Sequence, residues 1–213
     1  VLNLPTDLKS DVESYGWSWL ALMLLTDDPE YREAVMQSMR DGSITRATFT
    51  SEFKRRLRRQ WPIASARWRM LAYTIDYGFD RSREKLDLSI KDPIWSERSL
   101  EFDVDASRGW QSPGVRFSPG MRIQITAKGR CQIDDEPKPW ISEPQGVTIH
   151  YYNVRPLGQL IVCRLPNRTD EQRQLDPLLI DPVQTEREFV IDEHCWLLFR
   201  INDYLDGMSN NDG

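Results

Sequence analysis

The 213-residue chain is 39% apolar and carries eight Trp, enough to bury a sizeable core and to set it apart from disordered sequences. Its formal net charge of −5 argues against a nucleic-acid binder held by phosphate contacts. No apolar run reaches the roughly 18 residues of a membrane span, and Trp17 to Leu25 is too short. The sequence opens on Val1 without a signal-like n-region and h-region, which sets the expectation of a fragment or a processed product.

Residues 1 to about 85 read as helices. Asp11 is placed to cap a first helix over 12–25. Asp28 followed by Pro29 is an N-cap with proline at the first helical position, opening a second helix that Gly42 stops. Tyr31, Val35 and Met39 form its expected apolar stripe. A third helix is predicted over 50–60, burying Phe49, Phe53 and Leu57. A fourth opens at Pro62, with Trp68, Leu71, Ala72 and Ile75 on one face. Short connections between four short helices predict a compact helical domain, residues 1–85. The charged stretch 80–94 reads as linker with one helical turn, and the boundaries drawn are 86–98 for the linker and 99–213 for a second domain.

From about Ser99 the pattern changes to period two with Pro and Gly punctuation. Leu100–Val104, Met121–Ala127, Gly146–Tyr152, Gly158–Leu165, Glu188–Ile191 and Cys195–Ile201 are the predicted strands. The fold class is therefore α+β with two domains, a small helical unit followed by an antiparallel β-sandwich or barrel.

Several chemical signatures reduce to simpler structural roles. The basic run Lys54-Arg55-Arg56-Leu57-Arg58-Arg59 falls between apolar residues spaced by four, so it reads as the solvated face of a helix. Residues 1–90 hold 14 basic and 13 acidic side chains, so this half is not basic overall. The histidines His150 and His194 do not form H-E-x-x-H. His194 and Cys195, as neighbours on a strand, point to opposite faces. Cys131, Cys163 and Cys195 are an odd set without a C-x-x-C pair, which supports neither structural zinc nor a disulfide framework. Asp134-Asp135-Glu136 beside Pro137 and Pro139 reads as an exposed acidic loop, or as the border of a ligand site.

The last twelve residues stand apart. The buried-strand pattern Cys195–Ile201 empties into 202–213, with three Asp, three Asn and two Gly. Hard oxygen donors concentrated in a flexible loop suit Ca²⁺, although the D-x-x-D-G spacing from Asp203 is not that of an EF-hand. A polar turn closing a strand is the plainer alternative.

Asn202-Asp203 followed by Asn210-Asn211-Asp212-Gly213 resembles the N-D-x-x-x-x-x-x-N-N-x-G loop of the PA-IL-type, galactose-binding bacterial lectins. Gly109-Trp110-Gln111 to Val115, Ser118-Pro119-Gly120, 123–129 and Gly158-Gln159-Leu160-Ile161-Val162 are similar to that family's strands. The resemblance covers about 99–213 and implies a jelly-roll, galactose-binding-like β-sandwich. It implies one Ca²⁺ held by the side chains of Asp203, Asn210 and Asn211 and by the carbonyls of Gly207 and Ile133. A carbohydrate would complete the ion's shell with two hydroxyls, touching Asp203 and Asn210. The family's sugar-contacting His and Gln have no clear counterpart, and Gln145 is the loose candidate. The family also runs on into a final strand beyond the position of Gly213. An extracellular or periplasmic bacterial setting follows from the same resemblance.

Residues 15–19, Asp28-Pro29-Glu30-Tyr31-Arg32, 49–53 and Trp68 are similar to the helical C-terminal part of uncharacterised gluzincin-like peptidase domains. That likeness implies a catalytic H-E-x-x-H upstream of this chain, and no catalytic residue within it. Three expectations stand: a calcium-dependent carbohydrate-binding module, a fragment of a secreted zinc peptidase-like enzyme with the sandwich as structural accessory, and an interaction domain without ligand.

Overall fold

A computed structural model describes residues 12–45, 47–168 and 176–212. Four helices precede nine strands: α1 (Val12–Asp27), α2 (Pro29–Arg40), α3 (Phe49–Leu57), α4 (Trp61–Thr74), β1 (Arg116–Phe117), β2 (Arg122–Thr126), β3 (Cys131–Asp134), β4 (Trp140–Ser142), β5 (Gln145–Tyr152), β6 (Arg155–Pro166), β7 (Leu179–Pro182), β8 (Glu186–Val190) and β9 (Cys195–Ile201). The chain is thus α+β, helices first. It parts into two compact units, divided between Arg69 and Met70 within α4. No described helix is long and apolar enough to cross a membrane.

In the first unit, the Asp28 carbonyl takes the amides of Tyr31 and Arg32, starting α2 at the proline. The Asp28 carboxylate takes Arg67 Nη1 at 2.5 Å, and the same nitrogen donates to Tyr31 Oη at 3.0 Å. Tyr31, Ala34, Val35, Phe53, Leu57 and Ala64 form the small core.

The stripe expected through Met39 is corrected: Met39 is 62% exposed and Ser38 is buried, its hydroxyl donating to the Ala34 carbonyl. Strict steps of four drift about 40° each on a helix of about 3.6 residues per turn, so by Met39 the stripe has left the core face. On α4 the buried residues include Ile63, Ala66, Met70 and Thr74, whereas Ile75 is exposed. This helix carries apolar residues on most of its circumference, so periodicity alone chose the wrong face. Trp68 instead meets Trp17 edge-to-face at 6.1 Å.

In the second unit, β1, β9, β6 and β5 form one antiparallel sheet in that order, with β7 also paired to β6. β2 pairs with β8 and β3 with β4. The core draws Ile123 from β2, Ile133 from β3, Leu157 and Val162 from β6, and Leu197 and Ile201 from β9.

Leu100–Val104 is corrected: it alternates in sequence but joins no ladder, and Phe102 packs its ring on Phe199 at 5.9 Å. Alternation reports which side faces the core, not whether a strand stands alongside. The stretch expected as linker buries Leu86 and Leu88, and Ile94 bridges to Arg116.

Candidate functional site

β9 delivers the terminal loop. Its pairing with β6 continues past Ile201, where Asn202 N donates to Gln159 O and Gly158 N to Asn202 O, both at 2.8 Å. The buried Asn202 amide contacts three carbonyls of the β5–β6 turn, with Nδ2 3.0 Å from Tyr152 O, 3.1 Å from Arg155 O and 3.0 Å from Pro156 O. This residue is a pin between β9 and the hairpin. The chain can then leave the sheet at a fixed point.

Asp203 is only 2% exposed. Its Oδ1 accepts the Tyr204 amide at 2.7 Å and its Oδ2 accepts Asn211 Nδ2 at 2.9 Å. The chain turns through a short 3-10 helix, Gly207–Asn210, and returns to β3. There Gln132 and Asp212 exchange backbone hydrogen bonds. Asn210 Nδ2 donates to Asp134 Oδ1 and Asp135 Oδ1 at 3.2 Å each, and Asn211 Nδ2 also donates to the Ala106 carbonyl at 3.1 Å. Asp203, Gly207, Asn210 and Asn211 are therefore gathered in one loop, alongside the strand that carries Ile133.

The orientation of the amides matters most. Their NH₂ groups are engaged, yet Asn210 Oδ1 and Asn211 Oδ1 are buried and accept no hydrogen bond. A buried carbonyl oxygen without a partner costs roughly 1–3 kcal/mol, and the loop holds two of them in adjacent residues. Burial pushes the Asp203 carboxyl above its ordinary range and Asp134 adds to this, against the Asn211 and Tyr204 hydrogen bonds and the Arg200 charge. The Asp203 carboxylate, which meets the NH₂ of Asn211, and the amide oxygens of Asn210 and Asn211 are hard oxygen donors of the kind Ca²⁺ takes. Among the described residues no three His, Cys, Asp or Glu side chains form a metal-holding group.

Two aromatic pairs that sequence reasoning did not assign involve Tyr204 of the loop and Trp140 of β4, beside β3. Tyr204 is 42% exposed, donates its hydroxyl to Tyr151 O at 3.1 Å and lies 4.9 Å ring to ring from Tyr152. Trp140 is the register partner of Asp134, and its ring is 4.9 Å from the exposed His150. Gln145 lines an open cleft of about 360 Å³ with Arg130, Ser142 and Glu143, and no residue of the terminal loop lines it.

Burial pushes the Cys195 thiol up to about 12, away from the thiolate a nucleophile requires. Burial and nearby Asp203 raise Cys131 to about 11. Cys131, Cys163 and Cys195 form no disulfide with one another. In the basic run, Arg55 pairs with Glu52 and Arg56 with Asp41, while Phe53 and Leu57 are buried. Compared with family models, curated proteins and solved structures, the chain matches none.

Proposed function

We propose that the second unit is a calcium-dependent carbohydrate-binding module, non-catalytic in itself. The observation that carries the reading is the pair of buried acceptor oxygens, Asn210 Oδ1 and Asn211 Oδ1, in the loop that also carries the buried Asp203 carboxylate. Asp203, Asn210 and Asn211 supply side-chain oxygens to the ion, and the carbonyls of Gly207 and Ile133 complete the protein's share. Calcium takes 6–8 oxygen ligands, so room is left for two hydroxyls of a galactose-like sugar in place of water. The half-exposed Tyr204 ring in the loop offers an apolar face and a polar edge to such a ligand. A core shared by strands of separate sheets supports the accompanying view of the unit as a galactose-binding-like β-sandwich.

Isothermal titration of the full chain with CaCl₂ tests the first step. The wild type is expected to give a binding isotherm, and the Asp203→Ala, Asn210→Ala double variant to lose it. Equal heats, or none from the wild type, would defeat the metal assignment. Binding to immobilised galactosides with Ca²⁺, and its loss in EDTA, tests the second step separately.

A further inference from the structure

Arg200, near the end of β9, is 5% exposed and reaches under the terminal loop. Its Nη2 lies 3.1 Å from Met208 Sδ, between Gly207 and the two asparagines. A cation there opposes a second cation in the loop above it. The counter-charge comes from far away in sequence. Glu84, with a side chain 3% exposed, places Oε1 at 3.1 Å and Oε2 at 3.4 Å from Arg200 Nη1.

The neighbourhood of Glu84 is built to receive it. Gly109 packs so closely on the Glu84 carboxylate that a Cβ there would collide with it. Arg83 donates to the carbonyls of Met208 and Ser107 at 3.3 and 3.1 Å. Gly78, with φ +83°, brings its backbone against Asp206, where a Cβ would stand 2.6 Å from the Asp206 amide nitrogen. Gly78 and Arg83 thus hold the loop at two points, Asp206 and Met208, while Glu84 reaches Arg200 of β9.

We infer that Glu84 is a positioning residue for the cation site, acting through Arg200: it cancels the buried guanidinium charge under the loop so that a divalent cation can be held there. This rests on the calcium reading given above. Two buried charges that neutralise each other leave the field at the loop to Asp203 and the acidic residues of 134–135. Removing Glu84 alone leaves an uncompensated positive charge at short range, where salt screens little.

The test is calcium titration of the full chain for three proteins, each with its thermal midpoint recorded without metal. Glu84→Gln is expected to weaken Ca²⁺ binding about tenfold or more, the size of a Coulomb interaction across a few ångströms of partly screened protein. The neutral double variant Glu84→Gln, Arg200→Met is expected to recover affinity to within about threefold of wild type, since no net charge remains under the loop. A purely structural role for Glu84 predicts no such recovery. Wild-type affinity in Glu84→Gln, or a double variant as weak as the single one, overturns the inference while leaving the calcium reading intact. Should Glu84→Gln not fold, the double variant decides alone, and a tenfold loss there overturns the inference. No binding by the wild type overturns both.

Discussion

Asp203 concentrates the electrostatics of the loop in one side chain. Burial raises its folded pKa above the ordinary 3.8, so the folded chain holds this proton more tightly than the unfolded chain does. The stabilisation from that proton is fully present below the ordinary value and is lost as pH rises through the folded pKa. Glu84, also raised by burial, adds a contribution of the same sign. Without metal, the thermal midpoint is therefore expected to rise as pH falls through the range just above 3.8. Asp203→Asn should flatten that slope and leave the part due to Glu84. Melting curves in a pH series check this, and an unchanged slope in the variant contradicts it. The donor-rich character of 202–213 was legible in composition and spacing. The partners were not: the Asn202 NH₂ meets carbonyls of 152–156, and the Asn210 NH₂ meets Asp134 and Asp135. Only the chain's return past β3 and the β5–β6 turn brings them together.

Among elements, the long buried strands β6 and β9 announced themselves by continuous apolar runs, and β2 by its alternation. β3, β4 and β7 did not, because three or four residues flanked by prolines and acids give too few periods to register. Yet β3 and β4 form the wall beside the loop. Gly158 shows how tightly that wall is set. At φ +71° it lies against Ser142 of β4, whose hydroxyl donates to the Gly158 carbonyl at 3.1 Å, and a Cβ would strike the Ser142 side chain. Gly158→Ala is expected to destabilise the unit by roughly 2–4 kcal/mol, combining left-handed strain with overpacking. Denaturant unfolding measures it, and a change under about 0.5 kcal/mol would show that β4 moves freely away from β6.

At the scale of the whole molecule, helices followed by strands was readable from the change in hydrophobic period near Ser99. The dependence of the loop on residues 78–84 was not. An Asp/Glu/Arg-rich stretch looks like solvated linker until Glu84 is seen buried on Arg200, and sequence carries no sign of a pairing across 116 positions. On the calcium reading proposed above, the second unit is a frame that presents oxygen atoms to one ion. A crystal structure of the calcium-loaded chain tests this most directly. The expected result is an ion about 2.3–2.6 Å from side-chain oxygens of Asp203, Asn210 and Asn211 and from the carbonyls of Gly207 and Ile133. An ordered loop in which Asn210 Oδ1 and Asn211 Oδ1 accept hydrogen bonds from water or protein, with calcium present and no ion between them, would contradict it.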